Sequence, residues 1–212
     1  MRARSTHRAE IEDQFLILSQ MADEINVHFQ DGIDEIEQIA KDDAINQADG
    51  DIFIYSSVLN SYANERERRW TMCTQSRQIV FCATYAYYEA MLNRIIRYHN
   101  ITINNKDLKD AKSMFSRISE ELVQRSNGRM RIADDEFSND YCRLLRNHFM
   151  HGILSKKVKR DELKKLSDKY GGIIYDKAEY AAIKDHSFLL KVLNSIYKMI
   201  INIDDEYSTI GR

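Results

Sequence analysis

No proline occurs anywhere in the 212 residues of this chain, where average usage would place about ten. Proline ends or kinks a helix because its ring clashes with the preceding turn and it has no N–H to donate. Glycine, the next strongest breaker, occurs only seven times. Over most of the chain nothing but side-chain patterning limits helix length. The expectation is therefore an all-α fold.

The patterning supports helices in detail. Ile11, Phe15, Leu18, Ala22, Ile25 and Phe29 recur at alternating steps of four and three, which draws one apolar stripe along a helix. Gly32 is expected to interrupt it, with Ile33, Ile36 and Ala40 continuing on a shifted face. This stripe could pair with a partner protein as a coiled coil, but packing on its own domain is preferred. The first break is Gln47-Ala48-Asp49-Gly50-Asp51. It divides the chain into an N-terminal helical arm (residues 1–50) and a helical domain (residues 51–212). Residues 52–98 read as one long helix, or two joined near residues 64–69, with Phe81, Tyr85, Tyr88, Leu92 and Ile95 as the inner stripe. A further helix opens at Asn105 or Lys106 and closes at Ser126-Asn127-Gly128. The next is capped by Asp134 or Asp135 and ends about His151, with Gly152 at the position of a left-handed cap. Tyr170-Gly171-Gly172 is a turn, residues 173–175 a short extended piece, and the last helix runs from Lys177 or Ala178 to Ile203 around Phe188, Leu189, Val192, Leu193, Ile196 and Ile200.

Composition excludes several classes. Net charge is −2, from 31 basic and 33 acidic residues, which argues against a strongly basic nucleic-acid coat while allowing a local basic patch. Cys73, Cys82 and Cys142 lie far apart with no C-x-x-C, as expected of reduced thiols in a cytoplasmic protein. The basic start Met1-Arg2-Ala3-Arg4 lacks the apolar run of a signal peptide. No stretch is apolar enough for a membrane span. No glycine-rich phosphate loop or nucleophile elbow is present, and no cofactor is implied.

One segment concentrates chemistry: Arg146-Asn147-His148-Phe149-Met150-His151-Gly152. Arginine offers a forked donor that matches phosphate oxygens, and histidine exchanges protons near neutral pH. The segment resembles the Arg–four-to-six residues–His motif of HEPN domains, all-helical proteins that include metal-independent endoribonucleases of bacterial defence and toxin systems. Upstream, Tyr85-Ala86-Tyr87-Tyr88-Glu89-Ala90-Met91-Leu92-Asn93 is similar to the family helix that carries an acidic residue. The resemblance covers roughly residues 79–203. It implies a HEPN-like helical bundle, a homodimer that pairs two motifs across one cleft, and RNA as substrate. Within it, His151 would be the general acid or base, Arg146 would stabilise charge developing on phosphorus, Asn147 would hold the local backbone or a phosphate oxygen, and Glu89 would orient Arg146. Arg143 and His148 have the same spacing. Arg146 and His151 are preferred because the family usually carries Asn after the Arg and often Gly after the His. Where family toxins carry a tyrosine two positions after the His, this chain has Ile153, so a tyrosine-modification switch is not expected.

On a straight helix, residues five apart lie about 140° apart around the axis. Arg146 and His151 could then face one ligand only if the helix ends at His151. Lys156, Lys157, Lys159 and Arg160 follow and are candidates for RNA phosphate contacts, or equally for a solvated loop. His148 and His151 could share a metal, but no third ligand has suitable local spacing, so no metal site is expected. The remaining histidines are isolated. The alternative to an endoribonuclease is a non-catalytic helical module that binds RNA, through Lys156, Lys157, Lys159 and Arg160, or a partner protein, for which the N-terminal arm is the candidate surface.

Overall fold

A computed structural model of the chain describes residues 6–98, 100, 114–128, 136–151, 160–175 and 180–210. Among these are seven helices and one two-stranded hairpin, so the protein is mostly helical. The helices are α1 (Thr6–Ala48), α2 (Ile52–Ser61), α3 (Ala63–Tyr98), α4 (Met114–Arg125), α5 (Cys142–His151), α6 (Arg160–Tyr170) and α7 (His186–Ile210). A short π-helical turn, Phe137–Tyr141, leads into α5. Strands β1 (Ile173–Tyr175) and β2 (Ala181–Ile183) pair antiparallel, with Ile174 opposite Ala182.

The stripes seen in the sequence are the core. Ile11, Phe15, Leu18 and Ala22 of α1 pack in one buried cluster with Phe81, Tyr85, Tyr88, Leu92 and Ile95 of α3 and with Phe188, Leu189, Val192, Leu193, Ile196 and Ile200 of α7. Phe115, Ile118 and Leu122 of α4, Leu144 and Leu145 of α5, and Leu163 and Leu166 of α6 complete it. The distal half of α1 buries Ile36, Ala40, Ala44 and Ala48 where α2 lies along it. Small side chains every fourth residue let two helices approach closely. Asp51 caps α2, its carboxylate accepting from the backbone N–H of Phe53 at 2.7 Å and of Ile54 at 3.2 Å. α2 buries no residue completely, and Ile52 and Phe53 are exposed.

Three local expectations need correction. Gly32 does not interrupt α1, which runs unbroken through it. A single glycine costs a helix about 1 kcal/mol, and here the carbonyl of Gly32 accepts from Arg69 Nη1 at 2.5 Å. A Cβ at this position would lie 3.1 Å from that nitrogen, so the glycine admits the arginine rather than ending the helix. The break after α2 falls at Tyr62, just ahead of residues 64–69, which are helical in α3. The last helix begins at His186, not near 177, because residues 181–183 are taken up by β2. Asp185 fixes the start of α7 by accepting from Ser187 Oγ at 2.6 Å and from the Phe188 N–H at 2.9 Å. The expected helix starts at 105–106 and 134–135 lie outside the described residues, as does Gly152.

Candidate functional site

The π-helical turn sets the rotation at which α5 starts. Here the N–H of Cys142 reaches back to the carbonyl of Phe137, one residue further than in an α-helix, a geometry that recurs at functional sites. The turn sends Ser138 and Asn139 inward, where both find polar partners. Asn139 Oδ1 accepts from Tyr88 Oη at 2.9 Å, and Ser138 Oγ shares a hydrogen bond with Ser195 Oγ at 2.7 Å. Tyr141 donates to the Gly171 carbonyl at 2.8 Å and stacks on Tyr170. Helix α5 is thereby pinned to α3, α7 and the start of the hairpin.

From that start, Tyr141, Cys142, Leu144, Leu145 and His148 face inward and are buried. Arg143, Arg146 and Asn147 are half-buried, and Met150 and His151 are exposed. Arg146 reaches α3. Its Nη2 donates to Glu89 Oε2 at 3.3 Å, and its Nη1 donates to Asn147 Oδ1 at 3.2 Å. The two sequence segments that carry the family resemblance, 57 positions apart, thus meet through Glu89 and Arg146. The floor beneath them is neutral. Burial pushes the Tyr85 hydroxyl pKa well up, and Glu89 adds to the shift. Burial also raises the Cys82 thiol, with the Arg146 cation pulling the other way. Both groups keep their protons near neutral pH, so neither neutralises Arg146.

His151 is the last residue of α5. Because the helix is regular from Cys142 to His151, the angular separation of about 140° between Arg146 and His151 stands. The structure brings Glu89, Arg146 and Asn147 together and leaves His151 solvent-facing, without a hydrogen bond to another described residue. Arg160 opens α6 and is exposed. Lys156, Lys157 and Lys159 lie outside the described residues.

The overlapping pair has other employment. His148 is 4% exposed, and its Nε2 accepts from the backbone N–H of Ala181 at 2.9 Å. It acts as a fastener between α5 and β2, and its proton sits on Nδ1. Arg143 donates to the Asn139 carbonyl at 3.2 Å and pairs with Asp140 at 3.4 Å.

Sequence reasoning missed a groove beside this helix. A cavity of about 440 Å³ lies between α3, α5 and the hairpin, lined in part by Glu67, Trp70, Gln75, Gln78, Phe149 and Tyr180. Its residues come from three segments spread over 115 positions, from Glu67 to Ala182, so no local motif could announce it. The one sequence hint is Trp70, the single tryptophan of the chain, which falls on the continuation of the α3 stripe three turns before Phe81 and is nevertheless 42% exposed. No known protein family matches this chain, and neither a curated protein nor a solved structure is significantly similar to it. Among the described residues, no helix is long and apolar enough to cross a membrane.

Proposed function

We propose that the protein is a metal-independent endoribonuclease of HEPN type that works as a homodimer. The observation that carries this reading is the Glu89–Arg146–Asn147 cluster. A guanidinium held at two of its nitrogens by a carboxylate and an amide is oriented in advance, and its remaining N–H groups are available for phosphate oxygens. In the reaction the RNA 2′-oxygen attacks the adjacent phosphorus as its proton passes to a base. The P–O bond to the 5′-oxygen breaks, and that oxygen takes a proton from an acid. The products are a 2′,3′-cyclic phosphate and a 5′-hydroxyl.

Arg146 is assigned to the charge that builds on the non-bridging oxygens, and His151 to proton transfer. One His151 cannot take and give a proton in the same event, and it is turned away from Arg146 of its own chain. A second copy facing the first supplies the missing group. Lys156, Lys157, Lys159 and Arg160 are the candidates for flanking phosphates.

The test is cleavage of RNA in the presence of a chelator, with the product ends identified. Cleavage leaving a cyclic phosphate, lost in His151→Ala and reduced about 10²–10³-fold in Arg146→Ala, is expected, together with a dimer in sedimentation. A wild-type protein that cleaves no RNA, or a strict monomer at micromolar concentration, overturns it. The competing reading is a non-catalytic module that binds RNA or a partner protein. The turn between Arg146 and His151 within one chain favours it, and it would stand if binding were found without cleavage.

A further inference from the structure

We propose that the groove between α3, α5 and the hairpin is a subsite for one unstacked base of single-stranded RNA. The proposal rests on the ribonuclease reading for its choice of ligand. The groove's volume of about 440 Å³ lies within the range of small-ligand sites, roughly 300–1,000 Å³. Two aromatic rings from different elements stand at it with much of their surface in water: Trp70 of α3, 42% exposed, and Tyr180 ahead of β2, 51% exposed. Partly exposed aromatic faces are what unpaired bases stack on. Between them lie groups that suit a base edge rather than a phosphate. Gln75 offers an amide, and Gln78 spends only its Nε2 on the Ala181 carbonyl, at 3.1 Å, which leaves its Oε1 to accept. Glu67 is an acceptor for exocyclic amino groups and repels phosphate.

The wall is fixed in advance. Ala181 is held from both sides, its N–H by His148 and its carbonyl by Gln78. The Tyr180 ring meets the His148 ring edge-on, with centroids 6.3 Å apart. The groove is also placed for the chemistry. α5 turns His148 and Phe149 towards it. His151 is one i,i+3 step from His148, and Arg146 one such step from Phe149, so both flank the groove-facing side of the helix at neighbour distance. A nucleotide with its base in the groove would run its sugar and phosphate along one of these two flanks.

The single tryptophan provides the assay. Wild-type protein is titrated with a 2′-O-methyl RNA hexamer, which cannot be cleaved by 2′-oxygen attack, with the same backbone lacking bases, and with adenosine alone, while Trp70 fluorescence is followed. Quenching by the hexamer, absent with the abasic chain and far weaker with adenosine, is expected. Tyr180→Ala should raise the hexamer Kd about tenfold. Gln75→Ala, exposed on α3 and independent of the hairpin, should raise it a few-fold, with helicity unchanged in both variants. Equal quenching by the abasic chain, adenosine binding as tight as the hexamer, or a Kd within twofold of wild type in both variants overturns the subsite. Cleavage is scored separately. If wild-type protein and Tyr180→Ala cleave RNA with equal KM, the subsite fails and the ribonuclease reading stands. Base-dependent quenching with no cleavage sustains the subsite and overturns the ribonuclease reading, and neither binding nor cleavage overturns both.

Discussion

Replacing the two motif histidines separately should split stability from activity. His148→Leu keeps roughly the side-chain volume and removes the acceptor for the Ala181 N–H. Ala181 is 3% exposed, so water cannot replace that acceptor. A buried donor left without a partner costs about 1–3 kcal/mol. The His148 ring also meets Phe149 and Tyr180 at centroid distances of 6.0 and 6.3 Å, contacts worth about 0.5–1.5 kcal/mol between aromatic rings. Together these predict a loss of about 2–4 kcal/mol, a fall in Tm of roughly 4–16 °C for a chain of this size. His148→Gln, which can present an amide oxygen to the same N–H, should recover much of it. His151 is exposed, and His151→Ala should stay within about 0.5 kcal/mol of wild type. Urea unfolding followed by circular dichroism measures all three. Under the proposed function, His148→Gln still cleaves RNA and His151→Ala does not. A His148→Leu protein as stable as wild type would refute the fastener role, and a His148→Gln protein of normal stability without activity would move the chemistry to the overlapping pair.

Gly172 and Gly171 both have positive φ, at 84° and 69°, but a Cβ on Gly172 would lie 1.8 Å from Phe188 Cδ2 while one on Gly171 meets nothing within 4 Å. Gly171→Ala should therefore lose only the left-handed backbone penalty of about 1–2 kcal/mol, and Gly172→Ala a further ~1–3 kcal/mol for overpacking; equal losses in urea unfolding would show that Phe188 yields freely. Hydrogen bonds from Arg68 and then Arg69 hold the Glu65 carboxyl at a pKa of about 2, below its ordinary 4.5. A depressed folded-state pKa gives stability that is present above the unfolded value and lost as pH falls through the folded one, so the thermal midpoints of wild type and Glu65→Gln should converge between about pH 4.5 and 2. The gap should be small and shrink with salt, because the pair is solvent-exposed, and a gap that grows with acid would contradict the pairing.

Local chemistry was enough for the helices. Without proline, the apolar stripes of residues 11–25, 81–95 and 188–200 could only be helical, and the breaks at Asp49-Gly50 and Asn127-Gly128 mark where the backbone takes positive φ. What the chain could not announce locally depends on neighbours distant in sequence. Gly32 is a breaker by propensity, yet Arg69, 37 positions away, turns it into a contact point within α1. Residues 181–183 have no strong strand pattern. They form β2 because the Ile173–Tyr175 strand pairs with them and because His148 and Gln78 satisfy the two backbone groups of Ala181. The sequence suggested Glu89 and Arg146 only through a family resemblance; their contact exists because α3 and α5 cross at that point. The groove beside α5 was invisible for the same reason. Periodicity determines which face of a helix is buried, but which faces meet, and what lies open between them, is decided only when the whole core packs.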